Sequence, residues 1–265
     1  MRQATGSGFT LVEVMIVVAI IGVVAAIAIP NLMAAKLSAN EAAAIATLRT
    51  LHSAQAQMQG TGRIDVDNDS VGEYGTFAEL TGGTGVRRGL VPAGFSTPAG
   101  ATFAAQGNPV DPPSMSETLV AALNNQGELV KSGYGFMIFL PDTSSQALWL
   151  HEEVKVTTTG KGKKKTTVSS ITLKNDSGGT TSIGLDLSES VWCAYARPVK
   201  RTGSGNRVFF VNQAGDVLQS PNTSKKQEVK NAPIGADAAF LGAGITSKMA
   251  VGVKGGDGNV WKIAN

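Results

Sequence analysis

Cysteine is almost missing from this chain. Cys193 is the only one in 265 residues, so no intrachain disulfide can form, and within Val191-Trp192-Cys193-Ala194-Tyr195 it reads as a small buried hydrophobe. Histidine is nearly as scarce. His52 falls on a helical pattern and His151 in a strand-like run, and neither has a nucleophile motif or metal-ligand spacing around it. Both read as surface or packing residues, and nothing in the chain argues for an enzyme. Charge of one sign is also lacking: the formal net charge is +3, too mild a balance to name an anionic partner.

What the chain does have is a long apolar run. From Phe9 to Ile29 the only charged residue is Glu13; as a helix these ~21 residues rise about 31 Å, the thickness of a hydrocarbon core. The segment can cross a membrane once. A carboxylate inside such a span is costly unless something compensates it, so Glu13 needs a partner. A secretory signal peptide fits poorly: the run is too long, an acid lies near its start, Arg2 is the sole basic residue before it, and Pro30-Asn31 leads into further helical pattern.

Beyond Pro30 the apolar positions Leu32, Met33, Leu37, Ile45, Leu48, Leu51 and Met58 keep spacings compatible with one helical stripe until Gly60 and Gly62 stop it. A helix from Phe9 to Gln59 would be roughly 75 Å long, and its first half has no core to enter. It must pack in lipid or against other subunits. Pro30 predicts a kink near Ala26 to Pro30, and Gly22 with Ala26 forms a small-xxx-small pair that permits close helix approach.

Met1 to Gly8 followed by Phe9-Thr10-Leu11-Val12-Glu13, and then by Gly22 and Pro30, resembles the class III signal of type IV prepilins and type II secretion pseudopilins. The resemblance covers about the first 50 residues, and so compound a pattern is specific. It implies cleavage after Gly8 by a prepilin peptidase, N-methylation of Phe9, and pairing of Glu13 with the terminal amine of a neighbouring subunit. Physics supports that pairing, because a carboxylate in low dielectric is tolerable against an opposite charge and only cleavage supplies one inside the bilayer. The resemblance also implies that the stretch between Gly22 and Pro30 unwinds on assembly; a simple kinked anchor remains the alternative. Many pilins of this family close a C-terminal loop with a disulfide. This chain cannot, so another device must hold its C-terminal region.

The expected organisation is a leader at 1–8, a pilin helix at 9–60 with 9–29 in the membrane, and a globular domain at 61–265. Residues 62–113 are rich in Gly, Pro, Thr and Asp and read as mostly loop. Thr76-Phe77-Ala78-Glu79 is a capping box for a short helix ending near Gly82, and Ser114-Met115-Ser116-Glu117 a second one before Leu119, Val120 and Leu123, with Gly127 as a stop. Strand-like runs cover 134–140, 148–156, 166–173, 191–196 and 207–212, with Tyr134, Trp149, Trp192, Phe209 and Phe210 as core aromatics. The expected fold class is α+β and pilin-like, an antiparallel sheet laid on a long kinked helix.

Asp65, Asp67 and Asp69 alternate, with Asn68, Ser70 and Glu73 close by. Alternating carboxylates in a glycine-containing loop suit Ca²⁺, giving Asp65, Asp67, Asp69 and Glu73 as candidate ligands. The EF-hand pattern is not met, since Ser70 stands for the loop glycine and Thr76 for the bidentate glutamate. The alternative is a polar turn with Asx hydrogen bonds. No other cofactor is expected. The segment 154–170 reads as a hairpin whose tip carries Lys161, Lys163, Lys164 and Lys165. Such a cluster could contact phosphates, but a solvated loop that discourages edge pairing is preferred, and no aromatic interleaving marks a nucleic-acid track.

The resulting expectation is a single-pass inner-membrane precursor, its domain outside the cytoplasm, that joins a helical filament of like and unlike subunits after handling by a peptidase and an inner-membrane assembly platform. A type II secretion pseudopilin is preferred, on the absent disulfide and the Asp-rich region. A type IV pilus pilin for adhesion, motility or DNA uptake, and a filament-tip binding module, are the alternatives.

Overall fold

The computed structural model describes residues 9–82, 85–87, 109–116, 119, 128–142, 183–222, 227–229 and 234–264, together with the backbone of 151–159 and 166–174. Helix α1 runs from Leu11 to Gly60, 50 residues, unbroken through Gly22 and Pro30. It starts where Thr10 caps it and stops where Gly62 turns to φ +59°. Its second half buries Ala44, Leu48, Leu51, Ala54 and Met58, together with Glu41, Thr47 and Gln55, at the three- and four-residue spacings of one helical face.

That face lies on a sheet of six antiparallel strands in the order β1 (Leu129–Lys131), β2 (Tyr134–Phe139), β5 (Cys193–Pro198), β6 (Val208–Asn212), β7 (Leu218–Ser220) and β8 (Lys262–Ile263). The fold is α+β, as the sequence pattern predicts. β3 (His151–Thr159) and β4 (Thr166–Lys174) pair as a separate antiparallel ribbon in the register Val154↔Ile171 and Thr159↔Thr166. The expected hairpin is there. Its lysine tip, and Trp149, lie outside the described residues. The short helix α2 (Phe77–Leu80) has both hydrogen bonds of the Thr76–Glu79 capping box. Of the helix expected after Ser114, only Leu119 is described past Ser116, in a 3₁₀ turn.

The central strands read as near-continuous apolar runs because both faces of the sheet are covered. Phe136, Ile138, Ala194, Ala196, Phe209 and Val211 face the core shared with α1. Their alternates Met137, Phe139, Cys193, Tyr195, Val208 and Phe210 pack in a second core with Ile234, Ala236, Ala239, Phe240, Ile245 and Trp261. The molecule thus has three layers, helix, sheet and an irregular C-terminal layer, where sequence reasoning anticipates two. The expected strand at 191–196 begins only at Cys193, because Val191 and Trp192 leave the short helix α3 (Leu185–Ser188) first. Trp192 packs there against Tyr74 and His52, ring centroids 5.9 and 6.4 Å away.

In place of a disulfide, buried polar bonds hold the C-terminal layer. The Asp257 carboxylate accepts hydrogen bonds from the Asn259 backbone N–H (2.9 Å), Asn259 Nδ2 (2.7 Å), Gln227 Nε2 (3.1 Å) and Trp261 Nε1 (3.3 Å). Tyr195 Oη donates to the Ala236 carbonyl at 2.7 Å and accepts from the Ala239 N–H at 3.0 Å. At Gly255 a Cβ would stand 2.0 Å from the Ala238 carbonyl oxygen, so only glycine lets the two segments approach.

Candidate functional site

Among the described residues, nothing covers the first half of α1. From Phe9 to Met33 its large apolar side chains, including Leu11, Val14, Ile16, Ile20, Val24, Ile27, Ile29 and Leu32, are all exposed. The helix is long and apolar enough to cross a membrane. A run of this size left uncovered marks a surface meant for lipid or protein.

Glu13 closes the top of that surface. Its Oε2 accepts from the Thr10 N–H and the Thr10 hydroxyl, both at 2.8 Å, and Thr10 Oγ1 accepts from the Glu13 N–H at 3.2 Å. This is a reciprocal capping box, and it gives the carboxylate a partner within its own chain that sequence reasoning missed. The Thr10-to-Glu13 spacing is its signal. Gly22 lies on the exposed helix, and a Cβ built on it meets nothing within 4 Å. Gly8 lies outside the described residues.

Where the helix enters the domain, polar side chains fix its placement. Asn40 Nδ2 donates to the Ser204 carbonyl at 2.9 Å. Glu41 accepts from the Asn206 N–H at 2.9 Å and Arg207 Nε at 2.8 Å. Farther down, Gln55 grips Gly75 twice, Nε2 to the carbonyl at 2.7 Å and Oε1 from the N–H at 2.9 Å.

The acidic loop follows the helix. Carboxylate oxygens of Asp65, Asp67 and Asp69 lie within 4.8 Å of one another, and those of Asp67, Asp186 and Glu189 form a second such group. Glu73, expected among the ligands, instead turns into the core. It accepts from the Val66 N–H (2.9 Å) and Ser188 Oγ (3.2 Å) and faces the Arg87 guanidinium at 3.5 Å. Nothing in the spacing of the chain marks Asp186 and Glu189 as neighbours of Asp67. Burial, with Asp69, Asp67 and Asp186 adding repulsion, pushes the Glu189 carboxyl up to about 7. Burial and then the neighbouring Asp69 raise Asp67 as well.

Residues 6–29 match the family model described as Prokaryotic N-terminal methylation motif. The chain carries a prepilin-type N terminus. The chain is also similar to curated relatives. One is the Type IV wide pilus major component PilA4 of Thermus thermophilus, 38% identical over 104 residues, which are 39% of this chain and 64% of that protein. A second is the Type IV major pilin protein PilA of Myxococcus xanthus, 52% identical over 48 residues, 18% of this chain and 22% of the relative. A third is the Type II secretion system core protein G of Aeromonas hydrophila, 41% identical over 54 residues, 20% and 38% of the two chains. The matches therefore span less than two thirds of each relative. No solved structure matches the chain. All three relatives bear the names of pilus or secretion-system components.

Proposed function

We propose that this protein is a structural subunit of a type IV filament, not an enzyme. The observation that carries the reading is the apolar half of α1, exposed from Phe9 to Met33, while the described core draws only on the second half of the helix. In the membrane, lipid covers this half. In the filament, the same half of neighbouring subunits covers it. Because lipid is as apolar as the helix, assembly is driven by packing, by charge pairing and by an external motor.

On this reading a prepilin peptidase cuts after Gly8 and the new terminus at Phe9 is methylated. Glu13 then exchanges its Thr10 bonds for the Phe9 amine of a neighbour. Gly22 and Pro30 are the points where the helix opens or bends to fit the bundle. The precursor sits once through the inner membrane with its domain outside the cytoplasm, and an assembly platform in that membrane draws it into the filament.

Within the class, a secretion pseudopilus is supported by the lone buried cysteine and the carboxylate loop. A type IV pilus is the second reading, favoured by the longest match, to a pilus component. Deleting the gene separates them: secreted proteins held in the periplasm mean a pseudopilus, and loss of surface fibres with secretion intact means a pilus.

The filament reading is tested by Glu13→Ala. We expect normal cleavage, judged by gel mobility, and loss of the chain from the sheared-filament fraction. Filaments at normal yield would overturn the pairing.

A further inference from the structure

Four carboxylates from two distant stretches of chain converge on Asp67. We propose that Asp65, Asp67, Asp69, Asp186 and Glu189 form a Ca²⁺ site shared through Asp67, which fastens the loop following α1 to the α3 segment that leads into β5. Asp67 belongs to both carboxylate groups, so the five side chains share one locality. The proposal rests on these side chains and is independent of filament assembly.

The decisive feature is Asp67 itself. The residue is only 5% exposed, yet its Oδ1 is buried with no hydrogen-bond partner. Asp65 Oδ1 and Glu189 Oε1 are orphaned in the same way. A buried polar atom left unpaired is costly, and a buried carboxylate more so; three at one place are what a bound cation would complete. Among the described residues none of the five is in an ion pair with a lysine or arginine. The nearby Arg87 is engaged with Glu73 and Glu79.

The chemistry selects the ion. Ca²⁺ takes 6–8 oxygen ligands at about 2.4 Å, so oxygens on opposite sides of it are about 4.8 Å apart. The three carboxylate oxygens of each group are close enough to share an ion. An all-oxygen donor set without histidine or cysteine disfavours zinc. Mg²⁺ demands a tighter octahedron and keeps its waters, and so gains less from a crowded carboxylate cage.

The frame is already built. The Tyr74 N–H donates to the Ser188 carbonyl at 2.9 Å, and Ser188 Oγ donates to Glu73 at 3.2 Å, so the two stretches are in register before an ion arrives. Asp69 and Asp186 are exposed and give the ion a way in from solvent. The ion would then do at this end of the domain what a disulfide cannot.

The test is calorimetric titration of CaCl₂ into the full chain in detergent, stripped with a chelator, with thermal melting alongside. We expect one Ca²⁺ per chain, a higher Tm with Ca²⁺, and at least tenfold weaker binding of MgCl₂. Asp67→Asn with Glu189→Gln should weaken Ca²⁺ binding at least tenfold while remaining folded without the ion, since neutralisation relieves repulsion. Asp216→Asn, at an exposed carboxylate elsewhere, should bind as the parent does. Should the double variant fail to fold, Asp69→Asn with Asp186→Asn, both at the surface, carries the same expectation. Absence of Ca²⁺ heat and of any Tm change in the parent would overturn the site, as would undiminished binding in the neutralised variants.

Discussion

Glu41 of α1 and Arg207, the residue before β6, meet at 2.6 Å between Oε2 and Nη2. Glu41 is the first buried residue of the helix, so this ion pair marks the point where α1 leaves its exposed apolar half and enters the domain. Arg207 also reaches Gln219 at 2.5 Å and lies over the Phe209 ring. The anchor of the helix and the packing of the sheet thus share one side chain.

The two partners are unequally exposed, the Glu41 side chain 8% and the Arg207 side chain 42%, and that difference orders the effects of mutation. Arg207→Met leaves a buried carboxylate with only the Asn206 N–H, for an expected loss of roughly 2–3 kcal/mol. Glu41→Gln keeps an acceptor and leaves an arginine that water can reach, for about 1 kcal/mol. Urea unfolding of the detergent-solubilised chain measures both, and the reverse order would contradict this account of the anchor.

A second ion pair is fully enclosed. Arg197 on β5 and Glu128 before β1 are 1% and 0% exposed and meet at 2.6 Å through Nη2 and 2.7 Å through Nε. Removing one partner strands a charge, so Glu128→Leu alone should cost about 3–5 kcal/mol. Adding Arg197→Met should restore most of that loss. Additive losses in the double variant, read from the same unfolding curves, would show that the pair is not what the site requires.

Cys193 lies in the second core with no exposed surface, and burial pushes its thiol well above the usual range. At pH 8 the folded chain should therefore react with a thiol-specific disulfide reagent at least a hundredfold more slowly than the chain in guanidinium, because the thiolate is the reactive form and it is both suppressed and shielded. Prompt labelling of the native protein would place Cys193 at the surface.

How much of this could be read in the chain differs by region. Helix α1 was legible because its apolar positions repeat at three and four over many turns, and α2 because Thr76 and Glu79 stand at capping-box spacing. The central strands were legible as apolar runs, but β1, β7 and β8 are only three, three and two residues long, too short for any period to show. The C-terminal layer was hidden for a different reason: residues 234–264 are held by side-chain bonds to Asp257 and Tyr195, which leave no periodic trace. In the acidic loop the alternation of Asp65, Asp67 and Asp69 is legible in the chain, and the structure brings their carboxylates together. The approach of Asp186 and Glu189 to Asp67, and the pairing of Glu73 with Arg87, depend on contacts between distant segments that spacing cannot reveal.

The central claim is that a prepilin-type N terminus builds this chain into a filament, and N-terminal mass spectrometry of the sheared-filament fraction from the native host tests it most directly. The account predicts a chain that is present in the fraction and begins at N-methylated Phe9. A chain that retains Met1, or one cut beyond Ala25, would contradict it.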